Sequence, residues 1–181
     1  MAYKLTDGLI EFWKLNEANG TRNGSLAAFN LADSGATGNS EFNPEFDTTT
    51  QGDSCAIFTG TTNLSIADAA GLRIDSTQGF SISAWTQVTV DNGDSQRIAG
   101  KGNGTDGQEY SLDWTGFGNP GGFTFVMGSA FNYTFGSSAP QIFYPSFAGS
   151  LKWYPTKWYH LVGTYDPRGI LGFFINGSTI P

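Results

Sequence analysis

The hydrophobic pattern along the chain has a period of two. From position 80 to 90, Phe80, Ile82, Ala84, Val88 and Val90 fall on one side of an extended chain, and Ser81, Ser83, Gln87 and Thr89 on the other. Successive strand side chains point to opposite faces, so this run predicts a long antiparallel strand with one face buried. Strand-like runs also occupy 8–15, 55–58, 63–66, 97–101, 109–114, 122–127, 131–135, 158–165 and 171–175. No stretch repeats at helical spacing between caps; the best helical candidate is about one turn within 67–72. Between the runs the chain is punctuated by Asn-Gly at Asn19-Gly20, Asn23-Gly24, Asn92-Gly93, Asn103-Gly104 and Asn176-Gly177, and by Asp-Gly at Asp7-Gly8 and Asp106-Gly107. Both residues of such pairs tolerate positive φ, which tight hairpin turns require. Two longer stretches read as loops: 19–52, poor in β-branched residues, and 116–122. Many short strands joined by such turns predict an all-β fold, a two-sheet antiparallel β-sandwich or jelly roll.

Composition agrees and narrows the function classes. Of 181 residues 25 are Gly, aromatics make up 15% and charged residues 14%. That charge content is well below the ~25% of an average soluble protein and argues against helical bundles and coiled coils, while the aromatics argue against disorder. Asp and Glu (16) outnumber Lys and Arg (9), giving a net charge of -7. Such a field repels phosphate backbones and anionic bilayers, so neither nucleic acid nor a membrane is expected as a partner. Met1-Ala2-Tyr3-Lys4 is not followed by the apolar stretch of a signal peptide. Cys55 is the single cysteine, which excludes an intrachain disulfide and predicts a small buried apolar thiol.

Six stretches in order carry a resemblance. They are Gly8-Leu9-Ile10-Glu11-Phe12-Trp13-Lys14-Leu15-Asn16-Glu17-Ala18-Asn19-Gly20-Thr21; Ala32-Asp33-Ser34-Gly35-Ala36-Thr37-Gly38-Asn39; Ile57-Phe58-Thr59-Gly60-Thr61-Thr62-Asn63-Leu64-Ser65-Ile66; Phe80-Ser81-Ile82-Ser83-Ala84-Trp85; Trp158-Tyr159-His160-Leu161-Val162-Gly163-Thr164-Tyr165-Asp166; and Phe174-Ile175-Asn176-Gly177. Together they resemble the laminin-G-like branch of the concanavalin A-like lectin/glucanase superfamily, with Thr59 standing where that family usually has Asp. The resemblance implies a single jelly-roll domain across the chain. In the family, further strands follow the Asn-Gly hairpin and the last pairs beside the opening strand, whereas this sequence ends at Ser178-Thr179-Ile180-Pro181. The expectation is therefore a sandwich lacking its closing C-terminal strands: the N-terminal part of a longer chain, or a domain completed by a neighbouring subunit. An apolar edge at 9–15 would otherwise lie unpaired.

Glycosidases share this fold, so catalysis has to be read from residues. A retaining glycosidase needs two carboxyl groups about 5–5.5 Å apart and an inverting one about 6.5–9.5 Å. The family's glucanases carry E-x-D-x-x-E on one strand, a pattern absent here. Its nearest imitation, Glu109 and Asp113, spans four positions, roughly 13 Å along a strand. Glu41, Glu45 and Asp47 read as a solvated acidic loop, and His160, the only histidine, as a hydrogen-bonded strand residue. The prediction is a protein without catalytic residues.

Calcium is the candidate cofactor. Hard cations take six to eight oxygens, which acidic glycine-rich loops at a sandwich rim can supply. The resemblance places Asn16, Glu17 and Asp33 at the family's polar loops. For ligand contact the aromatic-rich segment from Trp114 to Trp158 is the candidate, and within it Phe143-Tyr144-Pro145 and Trp153-Tyr154-Pro155, whose prolines disfavour a central strand and suggest exposed loops. Trp153, Tyr154, Tyr144 and Phe143 are the residues predicted to contact a glycan or a surface protein. The sequence thus predicts a non-catalytic lectin-like binding module on an extracellular or virion surface, such as a phage fibre or head-decoration component, oligomeric and without a signal peptide of its own. The alternative is a purely structural decoration protein held by contacts with neighbouring virion subunits; a glycoside hydrolase is the third class.

Overall fold

The computed structural model describes residues 10, 11, 13, 15, 21, 24, 31–33, 37–39, 55–59, 62–67, 70–73, 78–89, 94, 96–102, 110–115, 122–127, 141–143, 157–168 and 170–179. Its named regular elements are strands and a single 3₁₀ turn, and every strand pair is antiparallel. The chain divides into two compact units, residues 1–73 and 74–181.

In the N-terminal unit, β1 (Ala32–Asp33) pairs with β4 (Leu64–Ser65), and β2 (Thr37–Asn39) with β3 (Cys55–Ile57). A 3₁₀ turn at Ala70–Leu72 occupies the one place where a helical turn was expected. Two expectations are corrected here. The stretch 19–52 carries β1 and β2, because pairing with distant partners supplies what local β-propensity does not. The opening run 8–15 does not form a strand over its described residues: Trp13 makes an isolated bridge to Gly24, and Leu15 adopts a φ of 58°, which turns the chain out of the extended path. After Phe58 the chain turns at 59–62. The Thr59 N–H donates to Thr62 Oγ1 at 2.8 Å, and the Thr62 N–H to the Thr59 carbonyl at 3.2 Å.

The C-terminal unit holds β5 (Phe80–Thr86), β6 (Gln96–Lys101), β7 (Tyr110–Thr115), β8 (Gly122–Met127), β9 (Gln141–Phe143), β10 (Tyr159–Asp166), β11 (Ile170–Ile175) and β12 (Ser178–Thr179). They form two four-stranded sheets, ordered β12-β11-β10-β5 and β6-β7-β8-β9. These are the two faces of the predicted sandwich. Along β5 the phase is as read: Phe80, Ile82 and Ala84 lie half-buried against the core, and Ser81 and Ser83 are exposed. The strand stops at Thr86, short of 90, although Val88 still reaches the core.

The core lies between these sheets. From one come Tyr159, Leu161, Tyr165, Phe173 and Ile175; from the other Leu112, Trp114, Phe123, Phe125 and Met127, all nearly or fully buried. Aromatic rings bridge the layers: Phe80 meets Phe125 at 6.3 Å and Tyr110 at 5.0 Å, and Phe123 meets Tyr159 at 5.0 Å. Each such side chain contributes on the order of 1.5–3 kcal/mol through burial. Gly163 occupies an inward position of β10 because the Phe125 ring fills the space of a side chain. A Cβ built there would lie 2.6 Å from Phe125 Cε2.

Candidate functional site

The outward face of the β12-β11-β10-β5 sheet starts from the odd positions of β5 and the even positions of β10. Register sets Trp85 opposite His160, Ser83 opposite Val162 and Ser81 opposite Thr164. Across the next strand Val162 pairs with Phe174 and Thr164 with Gly172. Trp85 is the large apolar residue on the polar side of β5, and 39% of its surface is exposed. Its ring stacks on His160, centroids 4.9 Å apart and planes inclined by 25°.

His160 is in turn pinned by the hairpin that closes β11. Asn176 and Gly177 have φ of 51° and 77°, the positive values the Asn-Gly pair was expected to adopt. Asn176 Oδ1 accepts the His160 N–H at 2.8 Å, and the Asn176 N–H donates to the His160 carbonyl at 2.8 Å. The turn therefore leads into β12, which pairs back on β11. Partial burial of His160 lowers the imidazole pKa below its usual value, which favours a neutral ring beside the indole.

The opposite side of the other sheet is polar in a different way. Asp113 Oδ2 accepts the Ser111 hydroxyl at 2.5 Å, and Asp113 Oδ1 pairs with Arg97 Nε at 3.4 Å. Arg97 Nη1 also donates to the Gly102 carbonyl at 2.9 Å. Ser111 is fully buried and Thr124, opposite Asp113 on β8, nearly so. Asp113 is thus bound into a structural network. Its sequence neighbour in the discounted acid pair, Glu109, lies outside the described residues, as do Glu41, Glu45 and Asp47.

Of the predicted ligand contacts, Trp153, Tyr154 and Tyr144 also lie outside the described residues. Phe143 does not sit in an exposed loop. It ends β9, the edge strand beside β8, at the register position of Phe125. Proline two residues later is compatible with an edge, where a missing N–H disrupts no ladder. Of the predicted calcium ligands, Asn16 and Glu17 are outside the described residues, and Asp33 lies in β1, paired with Leu64. A hard cation needs six or more oxygens. Among the described residues no three His, Cys, Asp or Glu come together. Cys55 is half-buried where full burial was expected, and desolvation raises its thiol pKa, which keeps it protonated. Sequence reading did not single out Trp85, the exposed aromatic of this face. The available signal was its phase, since position 85 follows Ser81 and Ser83 on the solvent side.

With this geometry in place, the comparison with known families is direct. Residues 58–180, about two thirds of the chain, match the laminin-G-like family model of the concanavalin A-like lectin/glucanases superfamily. The chain belongs to that superfamily, and its fold is the antiparallel β-sandwich that membership requires. No curated protein and no solved structure matches it. Among the described residues, no helix is long and apolar enough to cross a membrane.

Proposed function

We propose that this laminin-G-like domain is a non-catalytic, lectin-like binding module, displayed on an extracellular or virion surface and recognising a glycan. The observation that carries the reading is the contrast between Asp113 and Trp85. The acid, on β7, is tied to Arg97 and Ser111. The exposed aromatic stands on the open face of the other sheet, backed by His160. Aromatic faces bind sugar C–H groups while neighbouring hydroxyls and amides fix orientation. A net charge of -7 adds solubility and disfavours polyanionic partners.

The test is a glycan array probed with the full chain, with calcium and with chelator. Saturable binding to a defined glycan class is the expected result. Loss of binding in chelator would bring calcium into the site, and loss on Trp153→Ala would bring in the aromatic-rich segment of the sequence. Absence of sugar binding together with stable association with virus particles would replace the lectin reading with the structural one.

A further inference from the structure

We propose that Asn176-Gly177 is a spontaneous modification site held shut by the β11-β12 hairpin: the Asn176 side-chain amide converts to an acid when the hairpin opens, and the change is one-way. The chemistry needs only the chain and water. The Gly177 amide nitrogen attacks Asn176 Cγ and a C–N bond forms, its N–H proton passing to water. The Cγ–Nδ2 bond breaks, and the side-chain nitrogen takes up a proton and leaves as ammonia. Water then opens the resulting cyclic imide, leaving an aspartyl residue at 176 through which the chain runs by either the α- or the β-carboxyl.

Space and solvent do not protect this bond. Asn176 and Gly177 are both exposed, and a Cβ built on Gly177 would meet nothing within 4 Å. Hydrogen bonding does protect it. Asn176 Oδ1 accepts the His160 N–H at 2.8 Å, and the Asn176 N–H donates to the His160 carbonyl at 2.8 Å, so side chain and backbone are both clamped to β10. Ring closure ties Cγ to the nitrogen that follows it in the chain, and Oδ1 can then no longer reach across to His160. The turn adds a second restraint, since Asn176 and Gly177 hold φ of 51° and 77° between the paired residues Ile175 and Ser178. Conversion therefore draws on the molecules in which this hairpin is locally open.

The two products differ in what they do to the fold. The β-linked one inserts a methylene into the backbone of a two-residue turn, which breaks the register of Ile175 with Ser178 and of Phe174 with Thr179. Because β12 is only Ser178–Thr179, little else in that strand holds it to β11. The α-linked product keeps an acceptor for the His160 N–H and adds a negative charge to a chain already at -7.

Incubation of the full chain in mildly alkaline buffer, native and in urea, tests the inference, with Asn176 followed by mass spectrometry of the tryptic peptide that begins after Arg168. Conversion is expected to be about tenfold slower or more in the native protein than in urea. Ser178→Pro removes a backbone donor from β12 and should bring the native rate toward the urea rate. Where that variant does not fold, sub-denaturing urea takes its place: conversion and deuterium exchange of the His160 amide should then accelerate in parallel. The β-linked product, separated by chromatography, should exchange its His160 amide faster than the parent does. A native rate equal to the rate in urea would overturn the proposal, as would a native rate that responds neither to Ser178→Pro nor to sub-denaturing urea.

Discussion

The two sheets of the C-terminal unit share a core but treat their second faces differently. Burial in β10 alternates strictly, inward residues buried and outward ones half-exposed, whereas β8 is buried at all six positions. The outward row of the first sheet contains Trp85, Ser83, Val162 and Phe174; the corresponding side of the second contains Ser111, Thr124 and Val126, at 0, 3 and 8% exposure. A sheet with one wet face can present side chains to a ligand. The middle strands of the second sheet, covered on both sides, satisfy polar groups internally, as the Ser111 hydroxyl does on Asp113, while Arg97, which pairs with Asp113, is exposed on β6. The difference leaves the first sheet with a solvent-facing side and the middle of the second without one.

The sharpest way to break the comparison is at the layer the sheets share. Phe125→Ala should cost about 3–5 kcal/mol in urea unfolding, since a fully buried ring leaves a cavity. Gly163→Ala should cost about 1–3 kcal/mol by forcing a methyl group toward that ring. Made together, the changes should be less damaging than their sum, by about 0.5–3 kcal/mol, because the cavity accepts the methyl group. Simple additivity would mean that Phe125 is not what excludes a side chain at 163.

How much of this was legible follows the range of the interactions involved. The strands β10 and β11 and the turn at Asn176-Gly177 follow from local alternation and turn chemistry, and β5 was recognisable from its phase, whereas β12 beyond that turn was not foreseen. The strands β1 and β2 were not, because Asp33 and Thr37 acquire strand character from Leu64 and Ile57, which only tertiary pairing supplies. The three residues of β9 were too short a run to show alternation, and Pro145 pointed away from a strand. At the site, Asp113 could be placed on a strand, but its pairing with Arg97 depends on a cross-strand register that shifts between Arg97 and Ala99. Trp85 was visible as a residue on the polar side; that His160 would back it needed the β5-β10 register.

The covered face of the second sheet offers the next test. Asp113→Ala removes the acceptor of the buried Ser111 hydroxyl and the carboxylate partner of Arg97, and should cost about 1–3 kcal/mol. Ser83→Ala, on the exposed face of the first sheet, should stay within about 0.5 kcal/mol of the parent. Adding Ser111→Ala to Asp113→Ala should recover part of the loss, because donor and acceptor are then removed together. Equal costs for Asp113→Ala and Ser83→Ala would show that the two outer faces are energetically alike, contrary to the contrast drawn from their burial.

The smallest effect belongs to the wet face and is read by pH. Burial lowers the folded-state pKa of His160 below 6.5, so as pH falls the unfolded chain takes up the proton first. Between the folded pKa and 6.5 the unfolded state therefore binds more protons than the native one, and stability rises with pH across that window and is level above it. Two other shifted groups stay out of the way. Hydrogen bonds from Arg168 hold Asp166 at about 2, so it is ionised throughout, and Cys55 is raised above 9.0 and stays neutral. His160 is the only imidazole in the chain. The urea midpoint should thus decline as pH drops from about 7 to about 5, and His160→Phe, which keeps a ring on Trp85, should flatten most of that decline. If the slope survives in His160→Phe, the proton is taken up elsewhere, and the wet face is no more sensitive to pH than the covered one.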